Sequence, residues 1–433
     1  MLTAGGLLVV AVIFGGGGSG AGLANLVIQL AAIAALALNR GAFVDFFARA
    51  PREFAVLVGI TLLLPLLQCI PLPPAIWHEL PGRDLASQSL ALVGRQEAWM
   101  PLSLNVRRTA IAFLALLPPL AILTLTWRAT DDDHRALLIL LVACGVLEVV
   151  LGTQQLAFGN RHFMMHAEAF GSQDLQGTFA NRNSAGLFLD IALCALVGLL
   201  GRPRHSVASL GFGGGIAVVL AVGLFLTRSR SSMALFLVPL TMLLAFLWSM
   251  RGKIAATRSR VLALAGVAVV LTALATGLFF NERVQHSLSR FDTLQDARPA
   301  IWQDAQSSIS RFWPVGSGIG SFDEVFQIDE SLENISPGRA ARAHNEYLET
   351  MVESGVVAPA LIMGWVVAIL LAVWSSARNA TGRGVTAAGS AFCTLLAFQS
   401  VLDYPLRSQT VLCVAGLALA LLTARRSVAA SGK

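Results

Sequence analysis

A chain of 433 residues would ordinarily divide into two or three water-soluble domains, but its composition points elsewhere: 55% of the residues are hydrophobic, 13% are charged and the mean hydropathy is +0.69. Soluble domains carry about 25% charged residues, and here the apolar residues come in long uninterrupted blocks, so the chain's solvent is largely hydrocarbon. The net charge of +6 does not signal nucleic acid, because the 31 Lys and Arg residues are scattered singly and form no basic stripe with interleaved aromatics. Cys69, Cys144, Cys194, Cys393 and Cys413 lie inside apolar stretches without a CxxC pair and read as small core residues.

The first apolar stretch lacks a basic n-region and runs into Gly15 to Gly18 rather than a cleavage site, so it is expected to remain as a span. The glycine run has no phosphate-loop ending and reads as a flexible hairpin turn. A ruler of about 20 apolar residues places spans near residues 3–16, 22–38, 54–70, 108–126, 135–152 and 184–200. It continues with 208–226, 231–250, 260–280, 356–375, 384–402 and 408–424. The expected fold is therefore an all-α polytopic membrane protein of about 12 transmembrane helices.

An even number of spans puts both termini on one side of the bilayer. With that side cytoplasmic, Lys and Arg are more than twice as dense in the inside loops as in the outside ones, as the positive-inside rule requires. Arg40, Arg49, Arg52, Arg251, Lys253, Arg258, Arg260, Arg425, Arg426 and Lys433 carry most of the asymmetry. Three outside segments are long: residues 71–107, 153–183 and above all 281–355. Loops of that length are functional or disordered. The largest mixes Trp302, Phe312, Trp313, Phe322, Phe326 and Tyr347 with its charges, a composition that packs. Helical apolar spacing runs from Ala297 to Arg311 and breaks at Gly316 to Gly320. No internal repeat is visible, which weighs against a transporter of two related halves.

The largest loop contains Arg298-Pro-Ala-Ile-Trp302, then Gly316-Ser-Gly-Ile-Gly-Ser-Phe322, then Ala343-His344-Asn345-Glu346-Tyr347-Leu348. Earlier come Gly177-Thr-Phe-Ala-Asn181-Arg-Asn183 and Leu226-Thr-Arg-Ser-Arg230. In this order and context the chain resembles the O-antigen ligase and polymerase superfamily. The motif-bearing part runs from about residue 177 to 407, between an N-terminal set of helices (1–176) and a last helix and tail (408–433). The resemblance implies a metal-independent and cofactor-free glycosyltransferase of the bacterial inner membrane. Its donor would be a glycan on undecaprenyl diphosphate, and its acceptor lipid A core, a growing polysaccharide chain or a protein. The active site would face the periplasm.

The residue chemistry suits that reaction. Displacing a diphosphate from a sugar carbon develops negative charge, for which guanidinium groups are permanent, forked donors. Arg230 and Arg298 are the catalytic candidates and Arg228 the neighbour that shares the role. Attack by a sugar hydroxyl wants a base, and of the seven histidines only His344 lies in a motif. Asn181, Asn183, Trp302, Asn345 and Tyr347 are assigned to substrate binding. Intramembrane carboxylates are sparse, Glu148, Asp190 and Asp403 being the notable ones, and Asp403 is expected to pair with Arg407 or to orient an active-site arginine. Asp131 to Asp133 read as a solvated helix start, and His162, His166 and Glu168 lack a compelling third zinc ligand. The competing functions are a lipid-linked glycan flippase and a non-catalytic component of a polysaccharide export complex.

Overall fold

The computed structural model describes residues 1–200, 207–250, 298–333, 341–377 and 383–430. The span expected at 260–280, the first part of the large loop and the basic residues at 251–260 lie outside them. The described chain is almost wholly helical. In order come α1 (Leu2–Phe14), α2 (Gly22–Leu38), α3 (Arg40–Arg49) and α4 (Arg52–Gln68). A two-residue antiparallel pair, β1 (Pro71–Leu72) with β2 (Met100–Pro101), encloses α5 (Pro74–Trp77) and α6 (Asp84–Leu92). Then follow α7 (Val106–Ala115), α8 (Leu117–Thr126), α9 (Asp131–Ala157), α10 (Arg182–Leu199), α11 (Val207–Leu226), α12 (Arg230–Leu235) and α13 (Leu237–Met250). The series closes with α14 (Arg298–Phe312), α15 (Phe322–Phe326), α16 (Glu346–Ser354), α17 (Val357–Ala377), α18 (Arg383–Leu402) and α19 (Gln409–Ala430).

Helices thus stand at every expected span within the described residues, but seven of them are long and apolar enough to cross a membrane. These are Val106–Thr126, Asp131–Ala157, Arg182–Leu199, Ala208–Leu226, Arg230–Trp248, Val357–Ser376 and Gly384–Leu402. The pair α2 and α3 meets the same criteria jointly but bends by 77°. Local chemistry sets the starts. Thr130 and Asp133 form a capping box at the head of α9, so the acid cluster is a helix start as its composition suggests. Asn181, Ser229 and Asn345 cap α10, α12 and α16 through their side chains.

The principal core draws on both ends of the chain. Leu7, Leu8, Ile28, Leu138, Leu141, Phe188, Ile191, Phe392, Leu395, Val414 and Leu417 belong to one buried cluster spanning α1, α2, α9, α10, α18 and α19. A second cluster, with Ala305, Phe312, Phe322, Phe326, Ala343 and Val352, makes a cap of α14, α15 and α16. The cap is pinned to the bundle by polar bonds. At the end of α4, Gln68 accepts from the Ile319 N–H at 2.8 Å and donates to the Glu353 carbonyl at 3.0 Å. Arg83, fully buried, donates to the carbonyls of Leu102 (2.6 Å) and Gly316 (3.0 Å) and lies over the Phe312 ring. Gly316, Gly318 and Gly320 all have φ between 87° and 107°, which is why a glycine pattern stands where the cap folds back on the bundle.

The glycine run after α1 forms the expected turn to α2, but Gly15 and Gly16 stand there for a different reason. It is a short 3-10 turn in close contact with its neighbours: a side chain at Gly16 would meet the backbone of Thr178 and Phe179, and one at Gly15 would lie 2.6 Å from the Thr410 nitrogen. Close approach of backbones, not flexibility, explains these glycines.

Candidate active site

The turn from Ala343 to Asn345 holds the site's central side chain. Asn345 caps α16 by accepting from the N–H groups of Tyr347 (3.0 Å) and Leu348 (3.1 Å). Immediately before it, His344 adopts a left-handed backbone with φ +49°. A non-glycine residue in that conformation is uncommon and needs its surroundings to hold it there. The imidazole is about one-third exposed, and its Nδ1 lies 3.1 Å from Asp403 Oδ1, whose carboxylate is 2% exposed. When Nδ1 donates to the Asp403 carboxylate, Nε2 is the nitrogen left with a lone pair. Tyr404 packs against the imidazole with ring centroids 5.1 Å apart.

Asp403 follows α18 and is held from several directions. Its backbone N–H donates to the Gln399 carbonyl and its carbonyl accepts from the Glu346 N–H. Its second oxygen, Oδ2, accepts from Asn183 at 2.9 Å and Asn181 at 3.2 Å. Asn183 in turn accepts from the Ser229 hydroxyl at 2.9 Å. The two motif asparagines therefore converge on the histidine's partner, and the Ser229 cap that starts α12 belongs to the same network. Arg230 is the next residue along, at the head of α12.

The other arginines arrive on neighbouring elements. Arg298 opens α14 one turn ahead of Trp302, whose indole N–H donates to the Ala343 carbonyl at 2.8 Å. Arg228 also has a left-handed backbone, φ +55°, and its guanidinium lies 3.5 Å from Asp174, which pairs with Arg182 at 2.9 Å. Tyr347 donates its hydroxyl to the Ala397 carbonyl at 2.9 Å, joining α16 to α18.

Asp403 does not pair with Arg407, contrary to the expectation from their proximity in sequence. Arg407 instead sits among Glu346 (2.9 Å), Glu349 (3.3 Å) and Glu353 (2.9 Å), while Arg342 pairs with Glu349 at 3.1 Å. The three acids occupy one face of α16, three to four residues apart, and collect the arginines before Asp403 can. Two guanidiniums for three buried carboxylates leave one negative charge too many. Burial accordingly pushes Glu346 up to about 7, against the pull of Arg407. Burial disfavours the Arg407 charge, but Glu353, Glu346 and Glu349 outweigh it and hold that group protonated well above the usual arginine range. The cluster also fixes the histidine turn, since Glu349 accepts from the Ala343 N–H at 3.0 Å.

Beside this cluster opens a cavity of about 980 Å³. Arg107, Arg108, Arg342, Glu346 and Arg407 line one end, and Val58, Leu120, Leu123, Trp365 and Leu419 line its apolar remainder between α4, α8, α17 and α19. Arg342, which lines the cavity, lies over Tyr404, the ring that packs on His344. The lining is that of an amphiphile site: a charged end, where Arg107, Arg108, Arg342 and Arg407 stand beside Glu324, Glu346 and Glu353, next to an apolar remainder.

Other sequence candidates go elsewhere. His166 bonds the Thr178 carbonyl at 3.0 Å and His162 packs on Phe158. Among the described residues no three His, Cys, Asp or Glu side chains gather as a metal site would require. Asp403 was visible as an acid in Leu402-Asp-Tyr-Pro-Leu-Arg407, but its histidine partner was not, and neither were Arg342 and Ser229 as parts of the network. The signal for Arg342 was its place two residues before His344.

Residues 215–363 match the family model for O-antigen ligase, a stretch that includes Arg228, Arg230, Arg298, Trp302, the glycine turn and His344. No curated protein matches the chain.

Proposed function

We propose, from the match of residues 215–363 to the O-antigen ligase family model, that the chain is a member of the O-antigen ligase and polymerase superfamily and a metal-independent glycosyltransferase acting at the periplasmic face of a bacterial inner membrane. The donor is a glycan on undecaprenyl diphosphate and the acceptor is a hydroxyl of lipid A core or of a growing polysaccharide chain. The chain crosses the bilayer about 12 times with both termini cytoplasmic. The observation that carries the reading is the His344–Asp403 pair, in which the buried carboxylate holds the imidazole by Nδ1 and leaves Nε2 to act as the base.

In this mechanism the acceptor hydroxyl gives its proton to His344 Nε2 as its oxygen attacks the anomeric carbon. The bond from that carbon to the diphosphate oxygen breaks, and the electron pair leaves with the lipid diphosphate. Asp403 stabilises the imidazolium that forms. Arg228, Arg230 and Arg298 take the growing charge on the leaving group, work that permanent cations perform without a metal. The cavity offers its apolar remainder to the hydrocarbon of a lipid substrate and the arginines of its charged end to an anionic head. Asn181 and Asn183 support Asp403, and Trp302 and Asn345 fix the turn, so their contribution to substrate binding runs through the geometry of His344.

The test is transfer from a lipid diphosphate-linked glycan by purified, monodisperse protein, with donor binding measured separately. His344→Ala is expected to lower transfer roughly a hundredfold or more while donor binding stays near normal. Retention of most turnover would sink the assignment of His344 as base. Vesicle assays that follow glycan flipping separate this reading from a flippase, which would tolerate the His344 change.

A further inference from the structure

Glu148 lies on α9, outside every motif in sequence, and the mechanism above does not use it. It is 4% exposed. Its Oε2 accepts from the Thr178 N–H at 2.8 Å, and its Oε1 lies 2.7 Å from Thr178 Oγ1. The same hydroxyl oxygen is 2.7 Å from the Val12 carbonyl at the end of α1. A hydroxyl has one proton to donate and a carbonyl can only accept. Were Glu148 ionised, one of these two short oxygen pairs would contain no proton and would be repulsive. Both become hydrogen bonds if Glu148 Oε1–H donates to Thr178 Oγ1 and the hydroxyl donates onward to Val12.

We infer that Glu148 serves as a neutral carboxylic acid and as a positioning residue for the His344–Asp403 pair, a role that rests on the catalytic reading above. The connection is short. Glu148 and Gln155, two turns apart on α9, clamp the turn that begins at Gly177. Gln155 accepts from the Gly177 N–H at 3.0 Å and donates to its carbonyl at 2.8 Å. Gly177 has φ +61°, and any side chain there would collide with the Glu148 carboxyl, so acid and glycine are fitted to each other. The turn's far end donates from the Ala180 N–H to the Gly16 carbonyl at 3.1 Å. Its next residue is Asn181, the N-cap of α10, whose amide donates to Asp403 Oδ2.

The neutral state gives the decisive variant. Glutamine reproduces both bonds, its amide N–H replacing the acid proton and its carbonyl receiving the Thr178 N–H. Glu148→Gln is expected to keep transfer within about threefold of the parent. Glu148→Ala and Thr178→Val are expected to lower kcat roughly tenfold to a hundredfold with little change in donor KM, because a displaced Asp403 slows proton transfer rather than binding. Thr178→Ser should restore activity. Loss of activity in the glutamine variant to the alanine level would overturn the neutral assignment, and full activity in both Glu148→Ala and Thr178→Val would overturn the positioning role. The infrared difference spectrum between parent and Glu148→Gln gives a readout independent of turnover. A protonated-carboxyl stretch lost in the variant is expected, and carboxylate bands in its place refute the proposal. His344→Ala, run in parallel, separates the cases, since an active His344 variant faults the catalytic reading while the spectrum still decides the state of Glu148.

Discussion

Exchanging Arg298 for lysine keeps one positive charge but removes the fork that grips two phosphate oxygens at once. Weaker donor binding is therefore expected for Arg298→Lys, by about tenfold in Kd, and a lysine variant with unchanged donor affinity would show that charge alone suffices. Asp403→Asn probes orientation instead. An asparagine can offer its amide to His344 Nδ1 and favour the wrong tautomer, so kcat is expected to fall about a hundredfold or more with donor binding intact. Glu346 predicts a pH effect on stability. Its folded value of about 7 lies above the ordinary 4.5, so between the two the unfolded chain has released a proton that the folded chain keeps. The stability from this group is full at acidic pH and is lost as pH rises through about 7. A thermal-unfolding series from about pH 5 to about pH 8 should show Tm falling in the parent and falling less in Glu346→Gln. His344 was legible in the sequence because it alone of its kind stood in a motif. Asp403 was legible only as an acid, since its partner lies 59 positions away and three nearer carboxylates compete for Arg407.

Asn345 illustrates how a helix cap can hold a candidate site in place. Its side chain receives the first free N–H groups of α16, and the histidine turn hangs from that cap. Asn345→Ala should cost about 1 kcal/mol of stability and lower transfer, while Asn345→Asp, which still accepts, should retain both. Equal loss in the two variants, measured by chemical unfolding and by turnover, would mean that the amide contacts something beyond the helix end. The loop helix was readable almost to the residue, Ala297 to Arg311 against Arg298–Phe312, because its apolar spacing is regular. Gly316 to Gly320 were readable as a break for the same reason. The run at Gly15 was misjudged because a glycine that admits a neighbouring backbone and a glycine that merely loosens a turn look alike in one dimension.

Twelve apolar blocks were countable in the sequence, while seven described helices meet the length and apolarity of a crossing. One block, 260–280, lies outside the described residues; for the others the difference arises because hydropathy sees composition, whereas helix length is decided by where the chain turns. The helix Arg52–Gln68 stops at 17 residues, and the block at 22–38 continues into a helix bent away by 77°. Orientation is testable with fused reporters: insertions near Thr130 should report cytoplasm and those near Ser331 periplasm, as the basic density requires. A cytoplasmic signal at Ser331 would invert the topology and place the histidine on the wrong side for a lipid-linked glycan. The contact between the two ends of the chain has a bearing on biosynthesis. Thr410 donates to the Ala11 carbonyl across 399 positions, and Ser408 donates to that of Gly15 across 393. At about 5–20 residues per second the first helix waits roughly 20–80 s for the last to emerge from the ribosome. Until α19 is made, the nascent chain holds its motifs without the wall that this helix gives the cavity, and Asp403 precedes it only shortly. On the transferase reading proposed above, a fragment that stops short of α19 is expected to transfer no glycan, which a transfer assay on the truncated protein checks.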